Sequence, residues 1–466
     1  MSKNFPEHWV ECKFGDVIQI KNGYAFKTKD FNKTGGVPVI KQTQLAGEKV
    51  DLSKCVYVDK SFLKSKSDFI LKKGDVLLAM SGSLGKYCVY DLDEPALQNQ
   101  RTGKIEPISI KHLNKRYYWH YLNTLETLLK EKGKGLGVSN VSPSDIENLP
   151  FPLPPLNEQK RIVEKLDTIL PRVKNAKTRL EKIPAILKKF RQSVLAAACS
   201  GRLTEDWREG NSISNNYSGE TSREEPYELL DDWLWVELNH LSNGFQYGTS
   251  SKSEITGKVP VLRMGNLQNG LIDWSDLKYT NDDSEIKKYA LSYGDVLFNR
   301  TNSPDLVGKT AIFKEERIAI FAGYLIRIKY KLEFINSDYL NFCLNSERAK
   351  EWCKQVKIDG VSQSNINAQV LSTFLIPLPP LEEQHEIVRR VEKLFALADS
   401  LETKYKKAFA RVEKIEQAIL AKAFRGELVE PNPNDEPAEE LLKRILEEKA
   451  KLDGGKKSKK PKVIKK

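Results

Sequence analysis

"PLPPLNEQ" at positions 152–159 and "PLPPLEEQ" at positions 377–384 are nearly the same octapeptide, 225 residues apart in a chain of 466. The match continues at the same offset, without a gap, from 152–203 to 377–428. A period of this length is far longer than the repeats of solenoid proteins, so each copy has the size of a domain. The chain is therefore predicted to contain two heads, each followed by one copy of the repeated segment.

Both copies of the repeated segment have the apolar spacing of a long amphipathic helix. Apolar residues recur in alternating steps of four and three, which is the heptad pattern of a coiled coil. The seam comprises Ile162, Leu166, Ile169, Leu180 and Leu187 in the first copy, and Ile387, Val391, Leu394, Leu401, Val412 and Ile415 in the second. Two matching seams predict two helices that pack on each other, although each helix could instead lie on its own head.

Connectivity favours an antiparallel pair of helices. A parallel pair would require the link at 204–232 to run back along the whole coil, whereas an antiparallel pair places the two heads at opposite ends. About 33 residues at about 1.5 Å each make the coil roughly 50 Å long. Pro171 and Pro184 lie off the seam, so they predict a curved or kinked first helix with no change of partner.

Short matching stretches relate the two heads. The tripeptide WVE at 9–11 recurs at 235–237, VPVI at 37–40 matches VPVL at 259–262, and KGDVL at 73–77 matches YGDVL at 293–297. The offsets vary, so the heads are expected to share a scaffold and to differ in their loops. Runs such as DVLLAM and DVLFNR, broken by Gly, Asn and Pro, predict an irregular mixed sheet with a few helices, one of them over 336–355.

The predicted fold class is therefore α+β. It consists of two mixed α/β heads separated by two long helices that form an antiparallel coiled coil, in a pseudo-twofold tandem duplication.

Composition bounds the class of protein. The hydrophobic share of 40% and the charged share of 30% are typical of a soluble globular protein, and the length suits several domains. No run approaches the roughly 18 apolar residues of a membrane span, and MSKNFPEHWVECK lacks the apolar core of a secretory signal. The six cysteines are scattered without a CxxC pair, as expected of reduced thiols. We therefore expect a cytoplasmic protein without a membrane partner.

The net charge of +12 is by itself weak evidence for a nucleic-acid partner. Seven lysines lie in the last eleven residues, and the rest of the chain carries +5. The tail GGKKSKKPKVIKK is predicted to be disordered, and a solvated tail is as reasonable an interpretation as one that contacts phosphates.

A search for catalytic motifs finds one lookalike, SPDLVGKT at 303–310, which ends like a phosphate-binding loop. Ser303 replaces the first glycine, and the corresponding stretch of the first head, SGSLGKYC, has Tyr87 where a magnesium-binding hydroxyl would stand. A polar loop after a buried strand is the simpler interpretation. Motifs for cofactor binding, methyl transfer, nuclease chemistry or a metal cluster are not found, so we predict a chain without its own active site, cofactor or metal.

The loops of both heads are rich in amides, hydroxyls, arginine and lysine. Asn and Gln can pair with adenine and Arg with guanine, while Lys and Ser hold phosphates. Polar loops are also ordinary surface, so residue type alone does not decide. The predicted DNA-binding side chains are Lys41, Gln42, Gln44, Ser83, Lys86, Asn99, Gln100 and Arg101 in the first head and Gln246, Arg263, Asn266, Gln268, Arg300, Asn302 and Lys309 in the second.

The order of these segments resembles a known family. A head, PLPPLNEQKRIVEKLD, a heptad helix, a second head, IPLPPLEEQHEIVRRVEKLF and a second heptad helix are similar to the specificity (S) subunit of type I restriction-modification enzymes. The endings AAACSGRLTEDW and AKAFRGELV, followed by AEELLKRILEEKAK and a lysine tail, resemble its IA subfamily. The resemblance covers essentially the whole chain, and the repeated octapeptide is its most specific feature.

The resemblance implies that the heads are target recognition domains. Each would read one part of a split double-stranded DNA sequence through the major groove, while the helices set the unread spacer. It also implies two methyltransferase (M) subunits, which bind S-adenosylmethionine and methylate adenine, and two restriction (R) subunits, which use ATP and Mg to translocate and cleave DNA. This chain would then be noncatalytic.

The boundaries predicted on this basis follow the repeated segments. They are target recognition domain 1 at 1–151, helical spacer region 1 at 152–203, a linker at 204–232, target recognition domain 2 at 233–376, helical spacer region 2 at 377–428, and a C-terminal helix with a basic disordered tail at 429–466.

Two other functions remain open from the sequence. A coiled-coil scaffold would join two proteins through its heads without reading bases, and a nucleotide site near Lys309 would make the chain an enzyme. Binding to defined DNA at varied salt separates the scaffold from a base reader, since a base reader shows salt-sensitive binding with a strong sequence preference.

Overall fold

A computed structural model describes residues 5–32, 35–46, 49–81, 86–125, 141–211, 214–222 and 224–457. Within these residues, no helix has the length and apolar character needed to cross a membrane.

The first half of the chain forms a β-rich head followed by helices. Its elements in chain order are β1 Val10–Lys13, α1 Phe14–Val17, β2 Ile18–Asn22, β3 Val37–Ile40, β4 Leu45–Ala46, β5 Lys49–Val50, β6 Val56–Val58, α2 Phe62–Ser65, β7 Ile70–Leu71, β8 Val76–Ala79, β9 Tyr87–Val89, β10 Ala96–Gln98, β11 Thr102–Pro107, α3 Lys115–Leu122, α4 Pro143–Glu147, β12 Pro150–Leu153, α5 Leu156–Glu181, α6 Ile183–Cys199 and α7 Glu205–Glu209.

The second half has a related order with additional elements. Its elements are β13 Leu234–Glu237, β14 Ser242–Tyr247, β15 Val259–Leu262, β16 Leu267–Gln268, β17 Gly270–Ile272, β18 Lys278–Thr280, α8 Asp283–Tyr289, β19 Val296–Asn299, β20 Thr301–Asn302, β21 Thr310–Ile312, β22 Ile320–Phe321, β23 Leu325–Tyr330, α9 Ser337–Asn345, α10 Glu347–Val356, β24 Ile358–Asp359, β25 Ser364–Asn365, α11 Ala368–Ser372, β26 Leu375–Leu378, α12 Leu381–Ala423 and α13 Ala438–Lys457.

The chain divides into two compact units whose boundaries fall inside long helices. Unit 1 comprises residues 1–179 and 408–466, and unit 2 comprises residues 180–407. Each unit therefore contains one head with a part of each helical segment. The apolar core of each head explains this division, because it includes residues from both segments. The boundaries between head and helical segment, placed at 151/152 and 376/377 from the sequence, remain predictions.

Unit 1 contains the sheets of the first head. Strands β2, β11, β8 and β9 form an antiparallel sheet in that order, and β6, β3, β10 and β7 form a second, in which β3 and β10 run parallel. Strand β1 pairs with β12, which leads into the octapeptide. The run DVLLAM supplies β8, which is buried at all four positions and so explains its continuous apolar sequence.

Unit 2 repeats this plan with a larger sheet. Its six strands are ordered β14, β23, β19, β21, β17 and β16, and a three-stranded sheet has the order β18, β15 and β22, with β15 and β22 parallel. Strand β19, from DVLFNR, is buried at all four positions like β8. The prediction of mixed sheets with few helices is confirmed for both heads.

Two details predicted for the heads are wrong. Leu153 and Leu378 are equivalent positions of the two octapeptides. Val10 pairs with Leu153, whereas Leu234 pairs with Leu378. The structural counterpart of Trp9 is therefore Trp233 and not Trp235. The predicted helix over 336–355 is two helices, because Ser346 is extended (φ −65°, ψ 160°) and its side-chain oxygen caps α10.

The repeated Glu-Gln pair of the octapeptides anchors each helix to its head. In unit 1 the buried Glu158 accepts hydrogen bonds from His8 (2.8 Å) and from the indole of Trp9 (3.0 Å). Gln159 accepts from the backbone N–H of Asn114, the N-cap of α3, and donates to the carbonyl of Pro154. The octapeptide is therefore a fixed junction between head and helix.

Unit 2 has the same junction with more donors. Glu383 accepts from Thr204 (2.7 Å), Arg208 (2.5 Å) and the indole of Trp233 (2.9 Å). Gln384 accepts from the backbone N–H of Asn336, the N-cap of α9. The glutamate and glutamine of the octapeptide therefore make equivalent hydrogen bonds to the head in both units.

The helical segments run in opposite directions within each unit. In unit 1, Lys177 pairs with Glu413 (3.3 Å) and Arg161 with Asp435 (2.8 Å), so partner numbers fall as residue numbers rise. In unit 2, Arg191 pairs with Asp399 (2.7 Å), while Leu203 accepts from Arg390. Pro184 lies in the first turn of α6, after a break at Lys182, whereas Pro171 lies inside an uninterrupted α5.

The predicted seam is only partly buried. Ile162, Leu166, Ile387 and Val391 are fully buried because each lies against a head as well as among helical residues. Leu187 is also buried, and Ile169, Leu180, Leu394 and Val412 are half-buried. Leu401 and Ile415 remain 44% and 40% exposed and belong to neither of the two head cores, so their place in a coiled-coil seam stays a prediction.

Candidate nucleic-acid interface

In the second head, the ends of four strands meet the beginnings of two others at one edge. Tyr247 at the end of β14 pairs with Ile326, and Asn299 at the end of β19 pairs with Leu325 at the start of β23. The backbone N–H of Ala322, after β22, donates to Leu262 at the end of β15. We call this the strand-end edge of head 2, comprising residues 247–249, 263–268, 299–302, 309 and 322–324.

The first head has an edge built in the same way. Asn22 at the end of β2 pairs with Gly103, and Ala79 at the end of β8 pairs with Thr102 at the start of β11. The backbone N–H of Asn99, after β10, donates to Ile40 at the end of β3. The strand-end edge of head 1 comprises residues 22–24, 41–44, 79–81, 86 and 99–101.

Strand register gives equivalent positions on the two edges. The residue after β8 is Met80 and the residue after β19 is Arg300, while Arg101 stands where head 2 has Tyr324. From the parallel pairs, Lys41 corresponds to Arg263 and Gln42 to Met264. One backbone framework therefore presents different side chains at equivalent positions in the two heads.

Gln44 and Asn266 occupy equivalent positions and are removed from the predicted DNA-binding set. Both are buried, and their side-chain oxygens accept from the backbone N–H of Lys41 and Arg263. Their amide N–H groups donate to main-chain carbonyls, that of Lys54 in head 1 and those of Asp273 and Asp276 in head 2. These amides close a short 3-10 turn, which leaves them unavailable to bases.

Three more predicted residues make hydrogen bonds within the loops. Asn99 accepts from the backbone N–H of Arg101, and Asn302 accepts from that of Ser303. Gln246 accepts from Arg327 and donates to the carbonyl of Lys288. These hydrogen bonds help to position the edge, and a contact of these three side chains with DNA stays a prediction.

The structure brings Arg263, Gln268 and Lys309 to the strand-end edge of head 2. Lys309 donates to Gln268 (3.1 Å), whose amide also donates to the carbonyl of Gly265. Arg263 donates to the carboxylate of Asp276 (2.9 Å). These three residues are half-buried.

Arg300 at this edge lies against an aromatic ring. Its guanidinium lies 4.8 Å from the centre of the Tyr247 ring and donates to Asn365 (3.4 Å). Its Nε is buried without a hydrogen-bond partner among the described residues. An arginine packed against an aromatic ring loses less side-chain freedom when its remaining donors contact a base.

In the first head, Gln42 accepts a hydrogen bond from Ser81 (2.5 Å), and the ammonium of Lys41 lies 4.1 Å from the centre of the Phe31 ring. Lys86, Gln100 and Arg101 are exposed on the same edge. Ser83 lies outside the described residues.

Three residues of the edges, Ser81, Tyr247 and Tyr324, were missed from the sequence, as was Asn365 beside Arg300. Tyrosine was not among the residue types considered, and Asn365 lies far along the chain from the strands it joins. Aligning the two heads by their strand ends would have identified Tyr324, which immediately precedes β23, and Ser81, which is the second residue after β8.

The loop that resembles a phosphate-binding motif has another structure. Gly308 (φ +90°) packs against Cys353, and a Cβ there would lie 2.4 Å from its sulfur. The hydroxyl of Thr310 is buried and donates to the carbonyl of Gly308, and Thr310 begins a strand. A phosphate-binding loop leads instead into a helix whose N-terminus faces the phosphate. Across the described ranges, no cluster of three or more His, Cys, Asp or Glu side chains could hold a metal ion.

A family profile described as the type I restriction modification DNA specificity domain matches residues 6–185 and 232–409, which include both heads. The chain belongs to this family. The membership predicted from the duplicated octapeptide is therefore confirmed.

Relatives of known function extend this similarity over nearly the full length. The type I restriction enzyme EcoBI specificity subunit of Escherichia coli is 33% identical over 97% of this chain and 94% of its own. The EcoKI specificity subunit of Escherichia coli K12 is 32% identical over 97% of this chain and 98% of its own, and the StySPI subunit of Salmonella potsdam is 31% identical over 98% and 99%.

Solved structures show the same fold. A chain from a study of complex assembly and conformational transition of the type I system matches with a TM-score of 0.67 and 19% identity, over 91% of this chain and all of its own. The HsdS subunit from Thermoanaerobacter tengcongensis matches with a TM-score of 0.53 and 19% identity, over 92% of this chain and all of its own.

Proposed function

We propose that this chain is the DNA sequence-specificity subunit of a type I restriction-modification complex and that its heads read two separate parts of one double-stranded target. The observation that carries the proposal is the pair of matching strand-end edges with different side chains at equivalent positions. A framework repeated with altered contact residues suits a protein that reads two different base sequences. A scaffold that ignores DNA is not favoured, because the family matched in both halves of the chain is one of DNA specificity domains.

The side chains of the two edges divide by chemistry into those suited to contact bases and those suited to contact phosphates. Arg300, which lies against Tyr247, has the donors for the O6 and N7 atoms of guanine. Gln42 and Gln100 have the paired donor and acceptor that adenine requires, while Lys86 and Lys309 are suited to phosphates. The equivalent of Arg300 in the first head is the buried Met80, so head 1 offers no arginine to a guanine at that position.

In this proposal the chain recognises the DNA sequence, and its partner subunits catalyse the reactions. Two methyltransferase subunits would bind S-adenosylmethionine and methylate adenine, and two restriction subunits would use ATP and Mg for translocation and cleavage, all in the cytoplasm. The relatives carry the names of restriction enzyme specificity subunits, which supports this assignment. The long helices would form one antiparallel coiled coil that sets the spacing of the half-sites. The opposite direction of the helical segments within each unit supports such a coil.

Arg300→Lys tests the reading role. Lysine keeps the charge but loses the fork that contacts guanine, which changes discrimination at one base pair by about 1–3 kcal/mol. Mapping methylated adenine in cells that contain this chain and its methyltransferase should therefore show one relaxed position in one half of the target. Arg317→Lys is the matched control, because Arg317 follows β21 at the opposite end of the same sheet and lies over Trp274.

The two outcomes against this proposal are distinct. An unchanged target would show that Arg300 does not read a base. Simultaneous changes in both halves would show that the heads do not act separately.

A further inference from the structure

The second head carries a hairpin with an apolar tip. Strands β24 and β25 are joined by residues 360–363, and Val361 at the tip is completely exposed while Ile358 is 66% exposed. Isolated exposed aliphatic residues are common on protein surfaces, so exposure alone does not indicate a binding function. The position of these residues in the head is therefore the relevant observation.

The base of this hairpin is joined to the strand-end edge of head 2. Strand β25 pairs with β20, which follows Arg300 directly, and the backbone N–H of Ile366 donates to the carbonyl of Arg300 (2.8 Å). Asn365 donates to the hydroxyl of Thr301 (2.8 Å) and accepts from the guanidinium of Arg300. The hairpin is therefore fixed to the side chain to which we assign base reading.

The charge of the hairpin suits contact with DNA. Its carboxylate, Asp359, accepts from the ammonium of Lys357 (2.5 Å) and from the hydroxyl of Ser364. These hydrogen bonds lower the pKa of Asp359, and the exposed carboxylate has its charge balanced by the ammonium of Lys357. Partly exposed Tyr247 and Tyr324 flank Arg300 and continue the apolar surface along the edge.

We propose that the β24–β25 hairpin enters the groove of the half-site read by the second head, with Val361 and Ile358 against thymine methyl groups and sugars. Apolar side chains read the thymine methyl group in this way, and aliphatic residues pack against bases in the grooves of deformed DNA. The tripeptide GVS at 360–362 recurs at 137–139 in the first head, outside the described residues. This inference rests on the proposed DNA-reading function.

Photo-crosslinking tests the position of the hairpin directly. p-Benzoylphenylalanine replaces Val361 in one full-length variant and Leu332 in a control, since Leu332 is 71% exposed just beyond the other end of β23. Each variant is bound, with its methyltransferase partner, to a duplex carrying the target found by methylation mapping. Position 361 should crosslink to one half-site, and position 332 should not crosslink to DNA.

A second pair of variants measures the contribution of the tip. Val361→Asp places a negative charge in the groove and should weaken binding to the target at least tenfold, whereas Leu332→Asp should bind like the parent. Retained binding without a crosslink at 361, or a crosslink from 361 to the methyltransferase, overturns the inference. If the parent shows no sequence preference for DNA, the proposed function itself fails, and the inference fails with it.

Discussion

Glu383→Gln should destabilise unit 2 more than any other single change of charge in the octapeptide. The Glu383 carboxylate is 1% exposed and accepts hydrogen bonds from Thr204, Arg208 and Trp233. Glutamine keeps the size of the side chain and one acceptor oxygen. It also turns an N–H₂ group toward these donors and removes the partner charge of Arg208.

The magnitude follows from these contacts. A hydrogen bond to a charged group contributes about 1.5–3 kcal/mol, and removing one partner of a buried ion pair costs about 3–5 kcal/mol. The Arg208 side chain keeps 20% of its surface exposed, which places the expected loss near the lower end, at about 3 kcal/mol. Unit 2 has the size class in which 1 kcal/mol shifts Tm by about 2–4 °C, so Tm should fall by about 6–12 °C.

Differential scanning calorimetry of the full chain measures this loss. Glu382→Gln is the matched control, because Glu382 precedes it in the same octapeptide but is exposed, and its change should stay within about 0.5 kcal/mol. Glu158→Gln should cost less than Glu383→Gln, since Glu158 accepts from Trp9 and His8 and has no arginine partner among the described residues. Equal transitions for the variants at 382 and 383 would refute the reasoning.

Two further predictions concern pH and DNA spacing. The guanidinium groups of Arg389 and Arg390 lower the pKa of Glu386 from 4.5 to about 2, so its stabilising contribution is fully present above pH 4.5 and is lost as the pH falls toward 2. Glu386→Gln should therefore flatten the acid limb of a stability–pH curve measured by chemical denaturation, and an unchanged limb would assign that limb to other carboxylates. Adding one heptad to each long helix lengthens the proposed coil by about 10 Å and should widen the unread spacer of the methylated target by about three base pairs; an unchanged spacer would show that the coil does not set it.

The order of domains along the chain could be predicted because sequence repeats and the spacing of apolar residues indicate it. The offset of 225 residues predicted the duplication, and the heptad spacing predicted the long helices. The runs DVLLAM and DVLFNR predicted β8 and β19, since a strand buried on both faces must be continuously apolar. None of these inferences requires knowledge of which distant residues touch.

Predictions that depended on tertiary contacts were less successful. WVE recurs at 9–11 and 235–237, yet β-pairing makes Trp233 the counterpart of Trp9, because both indoles donate to the octapeptide glutamate. Gln44 and Asn266 have the residue types that bind bases, but their amides close turns inside the head. Leu401 fits the heptad, but it remains exposed and belongs to neither of the two head cores.

The sequence by itself determined the duplication, the order of heads and helices, and the family, because these depend on local composition and on spacing along the chain. Only the tertiary structure decided which polar residues remain available at the strand-end edges. That choice depends on hydrogen bonds between residues far apart in sequence: Arg300 meets Asn365, and Glu383 meets Arg208. A buried polar group must find such a partner, and folding alone determines which residue supplies it.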